Sequence, residues 1–223
     1  MSPANGFYSG MNQAIALGQH WKDTHITAVY CSDLKRAHTT AQQLVAARSP
    51  NTTASPSSTD DKEGTQLSPI VNPLLREQNF GIAEGKPWAA RNPNTTKDPN
   101  ETEEEVYYTI YNRHEKFPDG ESLDDLADRA EKALDQTVWS HVQEALKSGG
   151  HENIHIVVVS HGLAISELVA ASLSGKSYSG LVNTGWTQLQ IDIEPFSPDQ
   201  PEERVVTRIF TKSVNNSPHL INV

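Results

Sequence analysis

Apolar positions along the chain follow two alternating periods, which predict helices and strands in turn. Spacings of three and four residues predict helices over residues 9–21, 34–48, 122–148 and 163–173. Their N-caps are predicted at Ser9, at Ser32 or Asp33, and at Ser122, where Ser-x-x-Asp resembles a capping box. Short runs of β-branched and apolar residues predict strands over residues 26–30, 154–159, 189–193 and 204–210. Helices that alternate with strands predict one layered α/β domain over residues 1–223.

Two polar stretches interrupt this pattern. Residues 49–66 are rich in Ser, Thr, Pro and charge and have no apolar face to bury, which predicts a flexible insertion. Residues 91–105 have a similar composition and precede residues 106–111, whose apolar and aromatic spacing favours a helix. We therefore expect residues 88–118 to form an excursion from the domain that serves as a lid or selects the substrate.

Composition narrows the possible partners. The chain has 28 acidic and 18 basic residues, a formal charge of −10, and no basic run, which argues against nucleic acid and against an anionic membrane surface. No apolar run approaches the ~20 residues that a membrane span requires. The single cysteine, Cys31, excludes an internal disulfide and a cysteine-based zinc site, so a reducing, cytoplasmic location is expected. The oligomeric state is left open by the sequence.

Three candidate functional residues follow predicted strands. His161 comes at the end of the run Val-Val-Val-Ser-His-Gly, where ligands gather in α/β sheets and where the first amides of the next helix attract anions. Arg36 falls in the first turn of a helix, where a guanidinium fork can grip a phosphoryl group. Glu77 follows Leu74-Leu75, read as a strand, and a carboxyl partly desolvated beside an anionic substrate suits a general acid.

Each of these residues also has a purely structural interpretation. His161 would then bond a loop, Arg36 would be a surface residue of an amphipathic helix, and Glu77 would be a solvated carboxylate. A reading of Ser160 as a serine-hydrolase nucleophile fails because Val158 stands where that motif needs glycine.

Taken in order, four segments resemble the histidine phosphatase superfamily, also called phosphoglycerate mutase-like. They are Ser-Asp-Leu-x-Arg-Ala-x-x-Thr-Ala from Ser32, Leu-x-Glu-x-x-Phe-Gly-x-x-Glu-Gly from Leu75, Gly-Glu-Ser-Leu from Gly120, and Val-Ser-His-Gly from Val159. The resemblance implies a three-layer α/β/α domain. It further implies a cofactor-independent and metal-free phosphomonoester hydrolase that forms a phosphohistidine and acts on a phosphorylated small molecule or phosphoprotein.

Residue roles follow from the resemblance. Arg36 would clamp the phosphate, Glu77 would donate a proton to the leaving alcohol and later activate water, and His161 would be the second pocket histidine. Asn183 would make a minor phosphate contact. A mutase is disfavoured because the excursion lacks a basic cluster for a second anionic group.

The chain departs from the family pattern at one place. The family carries its nucleophilic histidine in an Arg-His-Gly triplet at the end of a first strand, and this sequence contains no such triplet. We therefore expect that the first strand is absent, that the sequence derives from a truncated gene model, and that the 223 residues have very low or no activity. The alternative is a non-catalytic pseudophosphatase that binds phosphate or acts as a scaffold.

Overall fold

The computed structural model describes residues 3–48, 67–86, 88–89, 107–108, 112–148, 153–173, 180–197, 199–221 and 223. Its helices are α1 (Pro3–Trp21), α2 (Lys35–Ala46), α3 (Leu123–Leu134), α4 (Ser140–Ser148) and α5 (Gly162–Ser172). Its strands are β1 (Ala28–Cys31), β2 (Pro69–Val71), β3 (Trp88–Ala89), β4 (Tyr107–Tyr108), β5 (Ile156–Val159), β6 (Trp186–Ser197) and β7 (Gln200–Asn216). Within these ranges no helix is both long and apolar enough to cross a membrane.

The central sheet has the parallel order β2-β1-β5. Val29 of β1 is in register with Pro69 of β2 and with Val157 of β5. Because all three strands run in the same direction, their carboxyl ends meet at one edge of the sheet, and the loops that leave this edge carry Ser32, Asn72 and Ser160. Arg36, Glu77 and His161 each follow one of these loops.

Helices cover both faces of the central sheet. Successive residues of a strand point to opposite faces, so Val29 and Cys31 pack with α1 and α2, whereas Tyr30 packs towards α3 and α5. The two buried clusters are Leu17, Ile26, Val29, Cys31, Ala41 and Leu44 on the first face, and Leu75, Ala130, Ala133, Leu134 and Leu168 on the second. The predicted three-layer α/β/α arrangement is therefore confirmed.

The final two strands form a separate antiparallel hairpin. β6 pairs with β7 over nearly its whole length, with Ile191 opposite Ile209, and the register shifts at several points. The strands predicted at residues 189–193 and 204–210 are confirmed, although both extend well beyond those bounds.

Helix boundaries differ from the predictions where local hydrogen bonds decide them. The Ser122 capping box is present, with Ser122 Oγ accepting from Asp125 N–H and the Asp125 carboxylate accepting from Ser122 N–H. Ser9 is not an N-cap, because α1 continues through it to Pro3. Leu34 is the N-cap of α2, and Ser32 instead closes the preceding turn by accepting from Leu34 N–H.

Two predicted elements take another form. The long helix over residues 122–148 contains a π-helical turn, Asp135–Trp139, between α3 and α4. Tyr107 and Tyr108, placed in a helix by the sequence pattern, form a strand that pairs in parallel with Trp88–Ala89, so that prediction is wrong there. The predicted insertion at residues 49–66 lies outside the described residues, as does most of the excursion at 88–118 apart from the two short strands and residues 112–118.

Candidate active site

His161 stands between β5 and α5 at the carboxyl edge of the sheet. The residue is only 7% exposed. Arg36, in the first turn of α2, donates from Nε to His161 Nδ1 over 3.0 Å. The adjacent strands β1 and β5 thus bring together two side chains that are 125 positions apart in the sequence.

The hydrogen bond from Arg36 fixes the protonation of the His161 ring. An arginine nitrogen only donates, so Nδ1 accepts and the proton of the neutral ring lies on Nε2. Burial, followed by the positive charges of Arg36 and Arg129, lowers the pKa of His161 to about 4, with Asp33 acting in the opposite direction. Nε2 is buried and has no partner among the described residues. Because a buried donor without a partner is rare and destabilising, Nε2 is a candidate hydrogen-bond donor to a bound ligand.

The Glu77 carboxylate lies at the start of α5. Oε1 accepts from the Ala164 N–H and the Gln78 N–H, each over 3.1 Å, and Oε2 accepts from the Leu163 N–H over 3.4 Å. A Cβ on Gly162 would lie 3.9 Å from Oε2, so the carboxylate is beside the turn that holds His161. The first amides of α5 are therefore occupied by the protein's own carboxylate, which corrects the expectation that they await an external anion.

The segment before Glu77 is not a strand. Residues Pro73–Leu75 form a single 3₁₀ turn, capped by Asn72, whose side-chain oxygen accepts from the Leu74 N–H over 2.9 Å. Proline removes one strand hydrogen bond and Asn72 offers a local one instead, which favours the turn.

A tight contact with residues 117–121 holds the loop that follows Glu77. Gly81 has φ of 54°, and a Cβ there would lie 2.0 Å from the Pro118 carbonyl oxygen. Two backbone hydrogen bonds cross the contact, from Ile82 N–H to Pro118 over 3.1 Å and from Glu121 N–H to Asn79 over 2.7 Å. Only glycine combines this φ with this close approach, which explains the Phe-Gly element of the sequence motif.

Asp33 and Arg76 form an ion pair at the same edge of the sheet. Arg76 donates from both Nε and Nη2, the former to Asp33 Oδ1 over 2.7 Å. The hydrogen bond from Arg76 lowers the pKa of Asp33. Cys31, two residues earlier, is fully buried, and burial followed by the Asp33 charge raises the pKa of its thiol. Cys31 is therefore not an activated nucleophile.

The structure does not join Asn183 to these residues. Asn183 is exposed in the turn before β6, next to Thr184, whose φ is 54°. Among the contacts of the described residues, none links the Asn183 side chain to Arg36, Glu77 or His161. Its phosphate contact stays a prediction.

Sequence analysis missed the residue that organises the Glu77 segment, Arg129 on α3. Its guanidinium bonds three backbone carbonyls of residues 74–77 and the Glu121 carboxylate. One signal was available. Arg129 lies three positions after Leu126 and four before Ala133, both fully buried, so a charge stands on the helix beside an apolar stripe.

A second missed pair ties residues 112–118 to α5. Arg113 donates from both terminal nitrogens to the Glu167 carboxylate, at 3.1 and 2.9 Å, and Glu167 is only 6% exposed. Arg113 also bonds Asp124 near the start of α3. Residues 112–118 therefore rejoin the domain beside α5, the helix that follows His161.

Arg36, His161 and the Glu77 carboxylate thus lie together at the carboxyl edge of the parallel sheet of an α/β domain. The family model of the histidine phosphatase superfamily (branch 1) matches residues 8–205. The chain belongs to this superfamily, and the resemblance drawn from the sequence motifs is confirmed.

Individual relatives share low sequence identity with the chain. The chain is 35% identical over 79 residues to fructose-2,6-bisphosphatase TIGAR B of Danio rerio, covering 35% of this chain and 26% of that protein. It is 28% identical over 167 residues to the probable phosphoglycerate mutase GpmB of Erwinia tasmaniensis, covering 74% of this chain and 61% of the relative. The matches thus span less than two thirds of the length of these curated relatives.

A solved structure shares the fold. The mycobacterial glucosyl-3-phosphoglycerate phosphatase in complex with inorganic phosphate superposes with a TM-score of 0.60 at 20% identity, over 96% of this chain and 88% of that one. This structural similarity, together with the family match, confirms the phosphoglycerate mutase-like α/β fold.

Proposed function

We propose that this chain binds the phosphoryl group of a phosphorylated small molecule between Arg36 and His161, and that the reaction served by the site is phosphomonoester hydrolysis. One observation carries the proposal: Arg36 reaches His161 Nδ1 through Nε alone, while His161 Nε2 is a buried donor without a partner among the described residues. A guanidinium fork and an imidazole N–H are the donors that a tetrahedral phosphate oxyanion requires. The names of the relatives, a bisphosphatase and a phosphatase of a sugar phosphoglycerate, agree with this substrate class.

Glu77 is the proposed proton-transfer group. In the phosphohistidine reaction that the resemblance implies, the phosphoryl group passes from the leaving oxygen to a histidine nitrogen, and the protonated Glu77 carboxyl gives its proton to that oxygen. Water then displaces the histidine from phosphorus, and the Glu77 carboxylate takes the proton that this water loses.

The nucleophile is not assigned to any residue of this chain. The 223 residues contain no Arg-His-Gly triplet, and the Cys31 thiol is buried with a raised pKa. We therefore assign phosphate recognition and proton transfer to these residues, and we expect the chain to turn over an aryl phosphate very slowly or not at all. A phosphate-binding pseudophosphatase is the second candidate, and the same missing triplet favours it. Phosphoprotein substrates, absence of a metal cofactor and a cytoplasmic location stay predictions.

Titration with tungstate, a tetrahedral dianion, tests phosphate recognition by calorimetry. At about pH 8, where tungstate stays monomeric, we expect saturable binding, because the His161 Nε2–H is a buried donor without a partner among the described residues. No binding at millimolar tungstate would overturn the proposal. Turnover of an aryl phosphate that disappears in Glu77→Gln identifies the hydrolase, whereas tight binding without turnover identifies the pseudophosphatase.

A further inference from the structure

The guanidinium of Arg129 uses every donor it has. Its five N–H groups make five hydrogen bonds: Nε to Glu121 Oε1 (2.8 Å), Nη1 to the carbonyls of Leu74 (2.9 Å) and Arg76 (2.8 Å), and Nη2 to the Glu77 carbonyl (3.1 Å) and Glu121 Oε2 (2.7 Å). The side chain is only 16% exposed. Such saturation leaves no donor for a substrate.

The three carbonyls that Arg129 binds belong to one short segment. Leu74 lies within the 3₁₀ turn Pro73–Leu75, and Arg76 and Glu77 follow it, so these backbone carbonyls have no partner within the turn. The segment carries Glu77, and residues directly after it are held by Glu121: the Glu121 carboxylate accepts from Asn79 N–H over 2.9 Å and its carbonyl accepts from Gln78 Nε2 over 2.8 Å. Arg129 and Glu121 thus fix both ends of the backbone around Glu77.

Glu121, which pairs with Arg129, is also ionised near neutral pH. Burial alone would raise the pKa of Glu121, but the bonds from Arg129 and from the Asn79 N–H outweigh it, and the pKa is lowered. Glu121 therefore stays ionised near neutral pH, and the bidentate pair keeps its geometry. Arg76, whose carbonyl Arg129 binds, is paired through its own side chain with Asp33.

We propose that Arg129 is a positioning residue that holds the backbone of residues 74–77, so that the Glu77 carboxylate stays on the first amides of α5 beside His161. What Glu77 does there rests on the proposed function. The positioning itself does not, because it concerns contacts within the chain.

Two substitutions separate the fork of Arg129 from its charge. Arg129→Lys keeps the charge but cannot bond three carbonyls and a carboxylate together, and Arg129→Gln loses both. We expect the amide hydrogens of Leu163 and Ala164, which bond Glu77, to exchange about tenfold faster in both variants, as for the loss of one hydrogen bond. The carboxyl-carbon NMR signal of Glu77 should shift in both.

The control is Arg208, an exposed arginine on β7 paired with Asp192, changed in the same two ways. Its variants should leave the Leu163 and Ala164 amides unchanged. Core amides of α2 report on general loosening, and their exchange should stay native in the Arg129 variants.

Several results would overturn the proposal. The first is native exchange at Leu163 and Ala164 in both Arg129 variants. The second is native exchange in Arg129→Lys alone, which would assign Arg129 a purely electrostatic role. The third is an equal acceleration of exchange at the α2 amides. These measurements need no ligand. If native protein fails to bind tungstate, the proposed function falls and the positioning result still stands on its own.

Discussion

Two arginines, Arg36 and Arg129, lie near His161 on opposite faces of the sheet, and their hydrogen-bond donors are used in opposite ways. Arg36, exposed on α2, donates one described side-chain hydrogen bond, to His161. Arg129, on α3, is largely buried and donates five. Both lower the pKa of His161. The number of donors not already used within the protein, and not charge or proximity alone, therefore distinguishes an arginine that can bind a ligand from one that builds the site.

If the two arginines differ in this way, breaking the contact that frames the Glu77 loop should lower stability, whereas removing the Arg36 donors should weaken ligand binding. The largest effect is expected for Gly81→Ala, in the loop after Glu77. A Cβ there meets the Pro118 carbonyl oxygen at 2.0 Å, and φ is 54°. We expect a loss of about 3 kcal/mol in unfolding free energy by urea denaturation.

Gly10→Ala is the matched control, since a Cβ at Gly10 of α1 meets nothing within 4 Å. It should be neutral or slightly stabilising, because alanine favours helices. Equal stability of the two variants would show that the contact between the loop and residues 117–121 is not a rigid frame.

His161 lies between the two arginines and sets a pH dependence. Its pKa is about 4 in the folded chain against 6.5 as the reference value, so the unfolded chain binds the extra proton. This contribution to stability is complete above pH 6.5 and is lost as the pH falls towards 4, by up to about 3 kcal/mol. Denaturation at a series of pH values should show a smaller acid loss in His161→Gln than in the native chain.

If His161→Gln has the same slope between pH 6.5 and 4 as the native chain, His161 is not buried in its neutral form.

Arg36→Met tests the ligand-binding side of the comparison. Loss of charge-assisted bonds of about 2 kcal/mol should weaken tungstate binding about 30-fold, with little change in thermal stability. Lys35→Met removes the same charge one position away and should have a far smaller effect. Equal weakening by both variants would mean that bulk positive charge, and not the fork of Arg36, attracts the anion.

Ser122→Ala gives the smallest expected change. It removes the cap of α3, the helix that carries Arg129, and should lower the unfolding free energy by about 1 kcal/mol. Tungstate affinity should stay native, measured by the same calorimetry. A large loss of affinity would show that the site depends on α3 as a whole and not on Arg129 in particular.

The sequence was sufficient for features that depend on local pattern. The Ser122 capping box and the alternation of helices and strands follow from spacing and side-chain chemistry. Arg36 and His161 were found because each follows a parallel strand, and such strand ends share one edge. Arg129 was missed because its partners are backbone carbonyls, which every residue carries and no sequence pattern marks. The occupation of the α5 amides by Glu77 is likewise a long-range contact.

The π-helical turn Asp135–Trp139 has a consequence for changes in chain length. A π turn bonds residue i to i+5, so it holds one residue more than an α-helical turn. Each residue of an α-helix rotates the next by about 100°. Both kinds of turn complete one rotation, so deleting one residue within the π turn would leave a continuous α-helix with α4 near its present rotation relative to α3. Deleting one residue from α3 would instead rotate α4 by about 100°, and the hydrogen bond of 2.9 Å between Tyr30 on β1 and His141 on α4 would be lost. The π turn is thus the point in the long helix that best tolerates the loss of a residue.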